Sequence, residues 1–164
     1  MNRQDAADFY RRHSKAVYNT ALRIVRDPAE AEEIMQDTLM KYFTKGIPGL
    51  TDARNSAWLR TVCIRQSIDA LRRRKKGLEM LSDLPLEEVE EEEATLPDGI
   101  DVMQVRAAME RLPYPYSLIL NLILIEGMDY AGIARLTGQK EATLRSWYSR
   151  GRAKLIKELK VHAI

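Results

Sequence analysis

Near the C-terminal end of this 164-residue chain, "TLRSWYSRGRAK" sets Arg145, Ser146, Ser149 and Arg150 along one side of a helical pattern, with Arg152 and Lys154 just beyond. Guanidinium groups read guanine edges bidentately and hydroxyls bond phosphates or bases, so these residue types suit duplex DNA. A second basic group lies in "RQSIDALRRRKK", residues 65–76. Besides Arg65, Arg72 and Arg73 it carries Gln66 and Asp69. Arginine binds phosphate bidentately and stacks on exposed bases, and Trp58, two turns earlier, offers a ring to an unpaired base. On the residues alone, this stretch reads equally as a nucleic-acid surface or as a core tryptophan followed by a solvated basic helix end.

Bond-breaking chemistry finds no comparable support. His13 and His162 are isolated near the two ends, and the carboxylates gather in the middle of the chain. Tyr114, Tyr116 and Ser117 lack the arginine and histidine companions that a nucleophile needs. The expectation is a protein with no catalytic residues, no metal, no cofactor and no small-molecule substrate. Cys63 is the single cysteine, so an internal disulfide and a cysteine zinc cluster are excluded. Its apolar position predicts a buried, inert thiol.

The elements that carry these groups are helical throughout. Phe9, Ala16, Val17, Ala21, Ile24 and Val25 recur at helical spacing over residues 5–25. "RDPAE" then ends one helix and starts another, with Asp27 as cap and Pro28 in the first helical position. The second helix turns Ala31, Ile34, Met35, Thr38, Leu39 and Tyr42 inward and leaves Glu32, Glu33, Gln36, Asp37 and Lys41 outside. After the breaker-rich "KGIPGLTD", a third helix is predicted over residues 53–75, with Trp58, Leu59, Val62, Ile68 and Leu71 apolar. In the last third, "VRAAMERLP" is an amphipathic helix stopped by Pro113, and "YSLILNLILIEG" an apolar helix closed by Gly127. "MDYAGIARLTGQKEATLRSWYSRGRAKLIKEL" has the spacing of a helix-turn-helix. Asp129 caps a short helix over residues 130–136, Gly138 makes the turn, and Leu144 locks a long helix from about residue 140. The fold class is therefore all-α: two small helical domains, residues 1–76 and 105–164, joined by an acidic linker over 77–104.

Charge follows the same division. The net charge of +2 divides into +7 for residues 1–76, −10 for 77–104 and +5 for 105–164. Two basic modules suit a polyanion partner. Pro85, Pro97 and Gly99 within the acidic stretch fit a solvated linker. "MNRQDAADFY" has no apolar leader and "SLILNLILIEG" is too short to span a bilayer, so a cytoplasmic location is expected.

Taken together, "AEEIMQDTLMKYF", "AWLRTVCIRQSIDALRRRKK" and "LPYPYSLILNLILIEGMDYAGIARLTGQKEATLRSWYSRGRAKL" resemble, in this order and spacing, the bacterial RNA polymerase sigma factors of the extracytoplasmic-function (ECF) group. The resemblance covers about residues 5–160. It implies that the first module is sigma region 2 and the last is region 4. Glu33, Gln36 and Asp37 then fall where the family contacts the clamp helices of the large polymerase subunit, and region 4 falls where it meets the flap. Trp58, Arg65, Gln66, Asp69, Arg72 and Arg73 lie on the helix that melts and reads the −10 element of promoter DNA. Arg145, Ser146, Ser149, Arg150 and Arg152 lie on the helix that enters the major groove at the −35 element.

The same resemblance implies an anti-sigma partner, which in the family often holds the protein at the membrane. The acidic residues 87–93 would either thread the polymerase channel as a nucleic-acid mimic or act as an extended tether. Some residues depart from the family pattern. Gln66 stands for the usual Asn, Gly132 for Glu, Leu144 for Val and Gly151 for Ala, and Trp147 is bulkier than usual. The −10 base preference and the detailed −35 sequence are the properties these changes touch. The competing reading is a free-standing helix-turn-helix repressor or activator that binds duplex DNA as a dimer through its first module.

Overall fold

The structure, a computed structural model, describes residues 2–45, 51–74 and 98–161. It divides into two compact units, one ending at Arg74 and the other beginning at Lys75. Every regular element among the described residues is a helix. None of them is long and apolar enough to cross a membrane. The breaker-rich loop after Lys45, nearly all of the acidic segment and His162 lie outside the described residues.

The first unit consists of α1 (Arg3–Val25), α2 (Pro28–Lys45) and α3 (Asp52–Arg73), each packed on the other two. Their ends are set locally. The Asn2 side chain accepts from the Asp5 N–H at 2.8 Å, and Thr51 Oγ1 accepts from the Arg54 N–H at 3.3 Å. Asp27 accepts from the N–H groups of Ala29 and Glu30 at 3.0 and 3.3 Å, just ahead of Pro28, so the α1–α2 corner forms as its residues predict.

All six inward residues expected on α2 are buried, from Ala31 to Tyr42. Val17, Ala21 and Ile24 of α1 and Leu59, Cys63, Ile68 and Leu71 of α3 are buried too, and α2 packs on both helices. Each large aliphatic side chain so enclosed is worth roughly 1.5–3 kcal/mol of transfer free energy. Cys63 is fully enclosed, and its Sγ lies 3.4 Å from the Val17 carbonyl. Two expectations change. Ala16 is exposed, because the buried stripe of α1 runs through Phe9, His13, Val17, Thr20 and Ile24, one residue round the helix. Trp58 and Val62 are half-buried at the margin of the core rather than inside it.

An aromatic cluster closes one end of the unit. Phe9 stacks on Tyr42 with centroids 4.1 Å apart, and His13 lies 4.4 Å from Phe9. Trp58 meets Tyr42 edge-on at 5.6 Å. The Tyr42 hydroxyl donates to Asn55 Oδ1 at 3.0 Å. His13 Nε2 is buried and has no hydrogen-bond partner among the described residues. Burial first, and then the Arg12 guanidinium, hold the imidazole below its ordinary value of 6.5, while Asp52 opposes them. A lowered folded-state value means that the unfolded chain binds the proton more readily. Stability contributed by neutral His13 is therefore full above pH 6.5 and declines as pH falls below it. Urea unfolding followed by Trp58 fluorescence, in a Trp147→Phe background, will show the first unit weakening from pH 7.5 to 5. His13→Phe will reduce that slope.

The second unit contains α4 (Val102–Arg111), α5 (Tyr116–Leu120), α6 (Tyr130–Thr137) and α7 (Glu141–Val161). Two boundaries differ from the sequence reading. α4 begins at Val102, three residues before the expected start, because Asp101 and Gln104 form a reciprocal capping box at 2.8 and 2.9 Å. The expected single helix over "YSLILNLILI" is α5 followed by a π-helical turn, Asn121–Ile125. The turn leaves Leu118, Ile119, Leu120 and Leu122 all buried. A run apolar at nearly every position carries no periodicity that would reveal an extra residue in one turn.

The helix-turn-helix closes as expected. Asp129 Oδ1 accepts from the Gly132 N–H at 2.7 Å and caps α6. Gly138 adopts φ +73° and its N–H donates to Ala134 O, turning the chain toward α7. Ile133 and Leu144 are each 1% exposed and lock the two helices. Gly138→Ala will therefore cost about 1–2 kcal/mol through left-handed strain, read as a lower melting temperature of the second unit. Gly151 serves a different purpose. A Cβ there would lie 3.3 Å from Tyr116 Cβ and 3.4 Å from Leu120, so the glycine admits α7 close to α5.

Candidate nucleic-acid and polymerase interfaces

In the first unit, α2 and the end of α3 enclose an open groove of about 1140 Å³. Glu30, Glu33, Asp37 and Lys41 line it from α2; Gln66, Asp69, Arg72, Arg73 and Arg74 line it from α3. One wall is mainly acidic and the other mainly basic. Arg74 joins them, pairing with Glu30 and lying 3.6 Å from Asp27 Oδ2. Its Nη1 also donates to the Val25 carbonyl at 3.3 Å, so Arg74 ties the end of α3 to the α1–α2 corner. Glu33, Asp37, Arg72 and Arg73 form no ion pair within 4.0 Å among the described residues, which leaves both walls open to partners. Gln66 is half-buried, its side-chain amide 3.3 Å from Thr38 Oγ1, while the Thr38 hydroxyl donates to Ile34 O at 2.7 Å.

The groove thus brings together residues that the sequence assigns to two partners. Gln36 and Arg65 are exposed but do not line it. Trp58 does not line it either and sits in the aromatic cluster with Tyr42. Among the described residues, no three His, Cys, Asp or Glu side chains group so as to hold a metal ion.

In the second unit, α7 presents Arg145, Ser149 and Arg152 to solvent at i, i+4 and i+7, with Ser146 half-buried beside them. Arg150 does not join this face. It is 7% exposed and lies on the flank of α7 shared with Trp147, which is 4% exposed. A residue three positions after a buried one falls on the same side of a helix, and the buried face of α7 extends to Arg150. Of the residues expected on the −35 face, Arg145, Ser149 and Arg152 are therefore exposed and Ser146 is half-buried.

The position of Arg145 is further defined by its neighbours. Its guanidinium carbon lies 5.1 Å from the centroid of the Tyr130 ring, and its Nη2 is 4.0 Å from Glu141 Oε1. Tyr130 meets Tyr148 edge-on at 6.3 Å. Burial first, and then Tyr148, push the Tyr130 phenol up from its ordinary value, against the pull of Arg145. Nothing in the sequence pattern joins Tyr130 to this face. It lies across a turn from Arg145, and no helical period links the two. Lys154, which follows these residues on α7, has its Nζ 5.4 Å from the centroid of the Tyr116 ring.

A helix-turn-helix with a basic, hydroxyl-bearing second helix, carried in one chain with a three-helix unit whose groove has charged walls, defines a DNA-binding protein of the transcription class. Comparison with known proteins narrows the class. Sigma-70 region 2 matches residues 9–77 and sigma-70 region 4 matches residues 102–155. The chain belongs to the sigma-70 family and, within it, to the ECF group of RNA polymerase sigma factors.

It is 27% identical over 161 residues to the ECF RNA polymerase sigma factor SigE of Mycolicibacterium smegmatis, covering 95% of this chain and 62% of that protein. It is 27% identical over 150 residues to the ECF sigma factor SigM of Mycobacterium tuberculosis, covering 92% of this chain and 74% of the relative. The sigma factor RpoE of Bartonella quintana, solved in complex with the anti-sigma factor NepR, shares the fold at a TM-score of 0.53 and 24% identity, over 97% of this chain and 99% of that one.

Proposed function

We propose that this protein binds core RNA polymerase and directs it to a defined set of promoters, with no catalytic step of its own. The observation that carries the proposal is the exposed row Arg145, Ser149 and Arg152 on the second helix of a helix-turn-helix, in a chain whose other unit holds both charged walls of one groove. In this reading α7 enters the major groove at the −35 element. Arg145 meets base edges there, and Ser146, Ser149 and Arg152 bond bases or phosphates.

The first unit meets polymerase through Glu33, Gln36 and Asp37 and takes the −10 element along α3. Arg65, Arg72 and Arg73 hold phosphates, and Gln66 and Asp69 offer hydrogen bonds to an unstacked base. Trp58, half-buried, lends a ring at the far end of that path. The flap of the large subunit receives the second unit, an anti-sigma factor covers these surfaces when the protein is held inactive, and the site of action is the cytoplasm.

Selection from a randomised duplex library tests the proposal. Holoenzyme will recover two unlike, non-palindromic sequence blocks, and the protein alone at the same concentration will recover none. A dimeric regulator would instead select palindromic half-sites about 10 base pairs apart without polymerase.

A further inference from the structure

Arg145 and Arg152 are both exposed on α7, yet their surroundings differ. Arg152 makes no ring contact or ion pair with the described residues. Arg145 lies over the face of Tyr130, with Glu141 beside it on its own helix. The ring is itself anchored. Tyr130 opens α6, whose first turn is tied by the bond from the Gly132 N–H to Asp129 Oδ1, and its edge rests against Tyr148 of α7. A guanidinium within about 6 Å of a tyrosine centroid is attracted to the negative face of the ring. An arginine free in solvent must give up rotamer freedom when it binds, whereas one already laid on a fixed ring has given up part of it beforehand.

We infer that Tyr130 is a positioning residue for DNA recognition, its ring holding the Arg145 guanidinium in the orientation that meets the −35 element. The inference rests on the proposed reading of α7 as the −35 helix and adds a residue from the preceding helix to it. Tyr130 itself needs no contact with DNA. Its effect passes through Arg145, and the edge-to-face contact with Tyr148 supports the ring. Glu141 completes the arrangement as a counter-charge that phosphate or a base edge displaces on binding.

A double-mutant cycle tests the inference, using full-length protein bound to core polymerase on a duplex from a promoter whose start site has been mapped. The readout is the holoenzyme concentration that half-saturates the duplex. Arg145→Ala raises it. Tyr130→Leu raises it about two- to fivefold, the range of a solvent-exposed cation–π contact. The double variant is no weaker than Arg145→Ala alone, and Tyr130→Phe restores the affinity lost in Tyr130→Leu. Independent, multiplying losses in the double variant would overturn the inference. An unchanged affinity in Arg145→Ala would instead remove Arg145 from the −35 contact set, and the positioning role with it.

Progressively fluorinated phenylalanines at position 130 keep the ring's shape while draining its negative face, so they separate positioning from packing. Affinity falls stepwise along the series at constant melting temperature if the ring positions Arg145. A flat series overturns the inference.

Discussion

Asp37→Arg will abolish stable association of this protein with core RNA polymerase. Asp37 is exposed on α2 and lines the acidic wall of the groove, with no ion pair to another described residue. Reversing its charge therefore leaves the three-helix core untouched while replacing attraction by repulsion at the proposed contact. Charge reversal at an interface commonly costs several kcal/mol, and about 3 kcal/mol is roughly a hundredfold in affinity. Gel filtration of mixtures with core polymerase reads the effect directly. Co-elution of the variant with polymerase at the wild-type ratio would take Asp37 out of the contact set.

The second large effect separates two arginines five residues apart. Arg145→Ala will weaken −35-dependent binding by about 1–3 kcal/mol, the range of a lost bidentate base contact, and will leave the melting temperature unchanged. Arg150→Ala will act the other way round. Its side chain is enclosed beside Trp147, so truncation removes packing and a buried hydrogen-bonding group, at about 1–3 kcal/mol of stability in the second unit. Melting curves and binding titrations of the two variants distinguish them. Loss of promoter binding at unchanged stability in Arg150→Ala would place Arg150 in the DNA groove.

The contrast between these arginines also marks where sequence reading stops. Helical periodicity places a residue at an angle around its own axis. It ordered α2 correctly, from Ala31 to Tyr42, because two helices, α1 and α3, cover a single broad face there. Caps were equally legible, since Asp27, Pro28, Asp129 and Gly138 act on backbone groups within four residues of themselves. What periodicity omits is the width of the buried face, which depends on neighbours from other elements. Arg150 falls outside by helical period alone and is nonetheless buried. Ala16 belongs to the apolar spacing of α1 yet is exposed, because His13 and Thr20 carry the buried stripe past it. The π-helical turn at Asn121–Ile125 was invisible for a different reason, since a run apolar at nearly every position shows no phase to slip.

The candidate site was read in parts. Its residue types were all present in the sequence, and the division into a polymerase set and a −10 set came from resemblance. That Glu33 and Asp37 share a groove with Gln66, Asp69, Arg72 and Arg73 follows only from how α2 lies on α3. Likewise, Tyr130 became visible only when the turn at Gly138 brought α6 against α7. The role of the acidic residues 87–93 lies outside the described residues.

The central claim is most directly tested by transcription in vitro. Core RNA polymerase, with and without the purified protein, is given fragmented genomic DNA, and the 5′ ends of the products are mapped. The account predicts discrete start sites that appear only when the protein is added, preceded by shared −10 and −35 elements and lost with Asp37→Arg. Absence of protein-dependent starts, together with tight duplex binding that needs no polymerase, would contradict it and identify a free-standing regulator.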